Sequence, residues 1–366
     1  MTTPKYIIDI NKIAQLSDEK KEKLKKVTNE YMFRANNYYL GLINWDDPKD
    51  PIRRIIIPSL DELDDWGDLD ASSESKYTVA KGLEHKYTDT ALFLVSKVCG
   101  SICRFCFRKR LFKKYYSSEV LTRKDYEPAF DYIRKHDEIT NVLLTGGDSL
   151  IIATDMLEWI LTELRKIEHV KIIRLGSKMV MFNPFRIIND EKLLQIINKY
   201  STIEKKIYVM AHINSHKEIT PESIKAIQML KEAGAELCNQ TPLIAGVNDS
   251  VDALVKLFQK LSFIGVPPYY VFQCRPTKGN FTFSVPIEKG YKLFSEAISK
   301  VSGLAKRARF VMSHATGKIE IVGLNEENIF MRYHRAANPE NYKKFMIFNR
   351  NPEARWLDDY LVEAKT

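Results

Sequence analysis

"ALFLVSKVCGSICRFCFRKR", Ala91 to Arg110, joins a short apolar run to a loop that holds three of the chain's five cysteines. An apolar run of that length, bounded by polar residues, reads as a buried strand. The same unit then repeats. Further strands are expected at "NVLLT", "VKIIRLG", "KIYVMA", "AELCNQ", "PYYVFQC" and "RFVMS". Amphipathic helices are expected between them, at "DYEPAFDYIRKH", "TDMLEWILTELRKI", "DEKLLQIINKY", "TPESIKAIQMLKEAG" and "DSVDALVKLFQKLSFIG". Strands alternating with helices of this length predict βαβ units with right-handed crossovers and a mostly parallel sheet. Six or seven units predict an α/β fold, a full or partial (β/α) barrel, whose chemistry sits at the C-terminal ends of the strands. The cysteine loop, "GGDS", "GSK", "HINSH", "NQT" and "CRPTKG" each follow a strand candidate, so all are expected on one face.

The flanks read differently. Residues 1–85 are expected to form a helical N-terminal extension, with Ser17 as a helix cap, and an acidic linker. Residues 86–323 form the barrel, and residues 324–366, rich in aromatics and arginine, a C-terminal cap. No run reaches the roughly 18 apolar residues of a membrane span. The start lacks a secretory pattern, and an odd cysteine count argues against a disulfide framework. A cytoplasmic location is expected. The formal charge of +9 is spread among acids along helix-like segments, which reads as a solvated surface and not as a nucleic-acid site.

Cys99, Cys103 and Cys106 stand in CxxxCxxC spacing. Soft thiolates this close suit zinc, Cu(I) or an iron-sulfur cluster, and zinc usually brings a fourth Cys or His at short paired spacing, which is missing here. Three thiolates on a four-iron, four-sulfur (4Fe-4S) cluster leave one iron open to an outside ligand. The rival reading is a structural zinc site in a nucleic-acid module.

The cysteine spacing resembles the signature of radical S-adenosylmethionine (SAM) enzymes. "CRFCFRKR", "VLLTGGDSL", "IIRLGSK", "AHINSHKEIT", "NQTPLIAGVND" and "PYYVFQC" narrow the resemblance to the lysine 2,3-aminomutase family, with "YYLGLI" and "DPIRRIIIPS" continuing it upstream. That resemblance implies a 4Fe-4S cluster on the three cysteines, with SAM chelating the open iron near Gly146, Gly147, Asp148, Ser177 and His212. It implies pyridoxal phosphate as a Schiff base on Lys318, with Asn239 and Gln240 nearby, and Arg108 on the substrate carboxylate. The implied activity is an isomerase that moves an amino group from the α to the β carbon of an L-amino acid. A small amino acid substrate, an electron donor such as flavodoxin or ferredoxin, and a homo-oligomer are implied with it. The alternative keeps the radical chemistry, without pyridoxal phosphate, on another small molecule.

Three positions depart from the family pattern. Lys86 is retained, but Thr90 stands where relatives carry an arginine for the cofactor phosphate. Lysine-specific members place two aspartates on the substrate ammonium, and here those positions are Arg275 and Ser313. A guanidinium repels an ammonium, so Arg275 predicts an acidic or neutral substrate resembling glutamate.

Overall fold

The computed structural model describes residues 3–113 and 122–361, so the outermost residues of both expected flanks, and residues 114–121 of the expected barrel, lie outside it. Two short strands, β1 (Tyr6–Ile7) and β2 (Ala35–Asn36), pair antiparallel. The other strands form one twelve-stranded sheet whose spatial order follows the chain. They are β3 (Thr78–Ala80), β4 (Leu83–Tyr87), β5 (Thr90–Ser96), β6 (Asn141–Gly146), β7 (Ile172–Ser177), β8 (Ile207–Ala211), β9 (Glu236–Leu243), β10 (Pro268–Gln273), β11 (Arg309–His314), β12 (Gly317–Leu324), β13 (Asn328–Ala336) and β14 (Phe345–Asn349). The run from β5 to β11 is parallel throughout. Antiparallel β3 and β4 extend one edge, and β12 to β14 the other.

Each parallel step needs a crossover, and the amphipathic segments supply it as the helices Arg123–Lys135, Thr154–Arg165, Glu191–Tyr200, Pro221–Glu232, Val251–Phe263 and Ile287–Ser299. Helix Thr154–Arg165 buries Leu157, Ile160, Leu161 and Leu164, the i, i+3, i+4, i+7 stripe of one face. Those leucines share a core with Val142 and Leu144 of β6, whose alternate residues Asn141, Leu143 and Thr145 point to the opposite, partly open face. Full burial of each such side chain contributes about 1.5–3 kcal/mol. Local polar groups set the helix starts. Ser17 accepts from Lys20 N, and Thr220 with Ser223 forms a capping box ahead of Pro221.

The sheet is open in its hydrogen-bond ladder, yet side chains join its two ends as expected of a partial barrel. Tyr77 Oη donates to Ala315 O at 2.9 Å and Lys86 Nζ to His314 O at 2.6 Å. Arg335 reaches from β13 to Asp89 and Thr90 beside β5. The expected boundaries after residues 85 and 323 both fall inside strands, β4 and β12, so both flanks continue the sheet. Among the described residues no helix is long and apolar enough to cross a membrane.

Candidate active site

The cysteine loop leaves the end of β5 and is tied to the N-terminal extension. Ile102 N donates to Arg34 O at 2.9 Å, and Arg104 N to Ile55 O at 2.8 Å. Arg104, 1% exposed, pairs with fully buried Glu62 at 2.9 Å, and Lys109 reaches the same carboxylate at 3.3 Å. The acidic residues Glu62 and Glu74 of the extension thus neutralise the basic run around the cysteines. Their roles follow no local pattern that the sequence displays.

Cys99, Cys103 and Cys106 are free thiols, as are Cys238 and Cys274. Burial raises all three loop thiols, with Cys103 pushed up to about 12, and the charges of Cys103 and Cys106 add to the rise at Cys99. Among the described residues no three Cys, His, Asp or Glu side chains converge tightly enough for a single metal ion. A cluster of several irons spreads its ligands more widely than one ion, and this all-sulfur donor set fits it.

"TGGD" does more than approach a ligand. A Cβ on Gly147 would lie 2.1 Å from Val98 O, and one on Gly146 2.2 Å from Ser96 O. The two glycines let the end of β6 lie directly on the backbone of the cysteine loop, where Gly147 N donates to Ser96 O at 2.6 Å and Asp148 N to Val98 O at 2.8 Å. Asp148, pushed up to about 6 by burial, accepts from Ser177 Oγ and Lys178 N, both at 2.7 Å. The loops after β5, β6 and β7 are thereby locked together. His212 follows β8; its buried Nε2 has no partner among the described residues, and burial, then Lys178, hold the ring neutral with a pKa of about 3. An orphaned ring nitrogen, 6.1 Å by ring centroid from Phe105 of the cysteine loop, suits a polar ligand such as SAM.

"NQT" is not a loop. β9 runs through to Leu243, so Asn239 and Gln240 are strand residues with side chains on opposite faces. Asn239 braces the segment after β8, accepting from Ile213 N at 2.8 Å and donating to Ile213 O at 3.1 Å. Gln240 shares its face with Cys238, whose thiol feels the charge of Arg174.

Arg108 and Arg275 flank one ring. Their guanidinium carbons lie 4.7 and 4.1 Å from the centre of Phe107. Arg108 Nε donates to Glu74 at 2.7 Å and Nη1 to Thr145 Oγ1 at 3.3 Å. Arg275 donates to Ser72 Oγ, and among the described residues no carboxylate is in ion-pair contact with it. Burial, then the charge of Arg108, lowers Arg275 to about 10. Glu84 stands near both arginines with a buried oxygen lacking a partner, and burial holds its carboxyl up at about 7. Nothing in its sequence context marks it.

Lys318 opens β12. Strand register places it between Ser313 on β11 and Arg335 on β13, and its Nζ lies 4.2 Å from the ring centre of Tyr270 and 4.9 Å from that of Phe272. Burial lowers its pKa well below the ordinary value, and the charges of Arg174, Arg335, Arg275 and Lys86 lower it further. An amine whose proton is loosened by burial and by the cations around it fits an anionic aldehyde such as pyridoxal phosphate. The amine can condense with the aldehyde, and the cations can take the phosphate.

Comparison with known proteins follows the same lines. The chain is 56% identical over 357 residues to a protein of Aquifex aeolicus (strain VF5) described as "Putative L-lysine 2,3-aminomutase", covering 97% of this chain and 95% of that one. It is 36% identical to the L-lysine 2,3-aminomutase of Clostridium subterminale, covering 81% of this chain and 70% of the other. It is 34% identical to the glutamate 2,3-aminomutase of Clostridioides difficile (strain 630), covering 81% and 68%. No family model matches. Among solved structures, a radical SAM methyltransferase from Sphaerobacter thermophilus is 16% identical, with a TM-score of 0.41, covering 63% of this chain and 68% of that one.

Proposed function

The chain belongs to the lysine 2,3-aminomutase family of radical SAM enzymes, and from that premise we propose that it moves the α-amino group of an acidic or neutral amino acid, glutamate-like and not lysine, to the β carbon. The family's members are isomerases that imply a 4Fe-4S cluster and SAM. The observation that carries the substrate reading is Arg275, a half-buried guanidinium beside Arg108 with no carboxylate in ion-pair contact among the described residues. A lysine side chain would bring a third cation to that pair, whereas a carboxylate or other acceptor would relieve it. Ser313, next to Lys318 in the sheet, adds no negative charge.

In this reading Cys99, Cys103 and Cys106 hold the cluster, and Gly146, Gly147, Asp148, Ser177 and His212 form the SAM side of the site. Lys318, with Gln240 on the barrel face, serves pyridoxal phosphate, and Asn239 holds the His212 segment in place. When bound, the cluster and SAM supply a hydrogen-abstracting carbon radical, and pyridoxal phosphate supplies the aldehyde that carries the migrating nitrogen. The protein's own work is positional. Arg108, oriented by Glu74 and Thr145, presents its remaining N–H groups to the substrate α-carboxylate. Arg275 holds the far end of the side chain, and Phe107 keeps the two guanidiniums apart. Burial and the neighbouring cations favour the unprotonated form of Lys318 at its Nζ, the form able to exchange with the substrate amine. An external one-electron donor such as flavodoxin or ferredoxin completes the scheme.

Arg275→Asp is expected to abolish turnover of the acidic or neutral substrate, and unchanged kinetics overturn the substrate reading. Anaerobic reconstitution should give a broad brown absorbance that Cys99→Ala loses; stoichiometric zinc in place of iron would overturn the cluster. Borohydride trapping of pyridoxal phosphate on the Lys318 peptide, absent in Lys318→Ala, tests the second cofactor.

A further inference from the structure

Arg335 lies in the C-terminal strand β13, outside every segment that sequence motifs single out, yet it reaches the heart of the barrel. The β12–β13 register sets it directly opposite Lys318, so a guanidinium and an amine share one face of a hairpin, and the guanidinium disfavours a charge on that amine. Like charges directly opposite are destabilising in a sheet. The guanidinium then extends to the other end of the sheet. Its carbon lies 4.4 Å from the ring centre of Tyr87, and Nη2 is 3.3 Å from Thr90 Oγ1. Lys86 Nζ lies 5.8 Å from the same Tyr87 ring. Two cations from opposite ends of the sheet therefore meet at one tyrosine, beside the half-buried amine of Lys318.

The anions nearby do not balance this cluster. Arg335 pairs with Asp89, but that carboxylate is 59% exposed, and exposed pairs are weak. Among the described residues neither Lys318 nor Lys86 is in ion-pair contact with a carboxylate. The one buried carboxylate acting on Lys86, Glu84, is itself held up at about 7 by burial, and half-buried cations with so little counter-charge form a seat for an anion brought from outside.

We propose that Arg335, together with Lys86, binds the phosphate monoester of the aldehyde cofactor held at Lys318. Arg335 thereby supplies from β13 the guanidinium that Thr90 does not. The inference rests on the reading of Lys318 in the preceding subsection and adds to it a residue from a different part of the chain. It also gives the C-terminal strands a role, because without β13 the seat would hold only Lys86.

The test compares pyridoxal phosphate with pyridoxal, which lacks the phosphate, in titrations of the full chain followed by visible absorbance and borohydride trapping at Lys318. Arg335→Met is expected to weaken pyridoxal phosphate capture about tenfold or more, one decade being roughly 1.4 kcal/mol, and to leave pyridoxal capture unchanged. Thr90→Arg in the Arg335→Met background should restore the preference for the phosphate. Asp89→Asn should leave capture unchanged or tighten it. On the wild-type chain inorganic phosphate should compete with pyridoxal phosphate and not with pyridoxal, a measurement that needs no variant. Equal loss of both aldehydes in Arg335→Met, no loss of either, or a loss in Asp89→Asn matching that of Arg335→Met overturns the assignment of Arg335 while Lys318 stands. Capture of neither aldehyde by the wild type overturns the reading of Lys318 and the phosphate seat with it.

Discussion

Gly147→Ala is expected to displace the cysteine loop while the barrel stays folded. The added Cβ would lie 2.1 Å from Val98 O and 2.5 Å from the carbonyl carbon behind it. An ordinary carbon contact is about 3.5 Å, so one backbone must retreat by roughly 1 Å or more. Neither side of the contact is a flexible side chain that could swing away. The retreat stretches the bonds from Gly147 N to Ser96 O and from Asp148 N to Val98 O, now 2.6 and 2.8 Å. Two lost hydrogen bonds at about 1 kcal/mol each, with overpacking of about 1–3 kcal/mol, give a local cost of roughly 3–5 kcal/mol. For a chain of this size that is a fall in melting temperature of roughly 4–7 °C. A shift of about 1 Å in the loop is also enough to misplace the three cysteines proposed to hold the cluster. The assay is thermal unfolding by circular dichroism together with iron and sulfide content after anaerobic reconstitution. Gly234→Ala is the control, since its Cβ meets nothing closer than 3.6 Å and only its φ of +92° costs energy, about 1 kcal/mol. Full iron content with an unchanged melting temperature in Gly147→Ala would refute the reasoning.

Three further outcomes follow from the buried polar groups. Glu62→Gln leaves Arg104 and Lys109 buried without their shared carboxylate, and should cost about 3–5 kcal/mol in denaturant unfolding; a loss below about 1 kcal/mol would mean the pair behaves as if solvated. Glu84, held up to about 7 by burial, takes up a proton on folding. Its contribution is full below the ordinary carboxylate range and fades as pH rises through about 7, so Glu84→Gln should stabilise the chain above that pH by up to about 3 kcal/mol and flatten the pH profile of its melting temperature. Parallel pH profiles for the two proteins would contradict this. Asn239→Ala loses both bonds to Ile213 and should destabilise by about 1–3 kcal/mol, whereas Gln240→Ala should leave unfolding unchanged and weaken pyridoxal phosphate capture; equal unfolding midpoints would show that the two amides do not divide their work.

The strand and helix pattern could be read from the chain because each element repeats its own period, and each crossover helix buries its apolar stripe on the strand next to it. The cysteine spacing could be read for the same reason, since three ligands within one loop need no tertiary information to be recognised. Other features of the site had no local signal. Asn239 and Gln240 look like a turn after "AELC", but the strand continues and the pleat sends them to opposite faces. Gly146 and Gly147 look like ligand-facing glycines, yet it is the Val98 and Ser96 carbonyls that forbid their side chains. Glu62 and Glu74 sit in an acidic stretch that resembles a linker, and only their burial against Arg104 and Arg108 reveals a clamp.

Taken alone, the sequence determined the βα succession, the cysteine loop and the family, all of which depend on spacing within short segments. The tertiary structure decided which charges meet. Lys318 and Arg335 pair across one hairpin, and Lys86, more than two hundred residues earlier in the chain, joins them because the sheet curls until its two ends face one another. Curvature is a property of the whole sheet and leaves no mark on any one segment. The charge around Lys318, and the fit of this site to an anionic cofactor and substrate, arise from that closure.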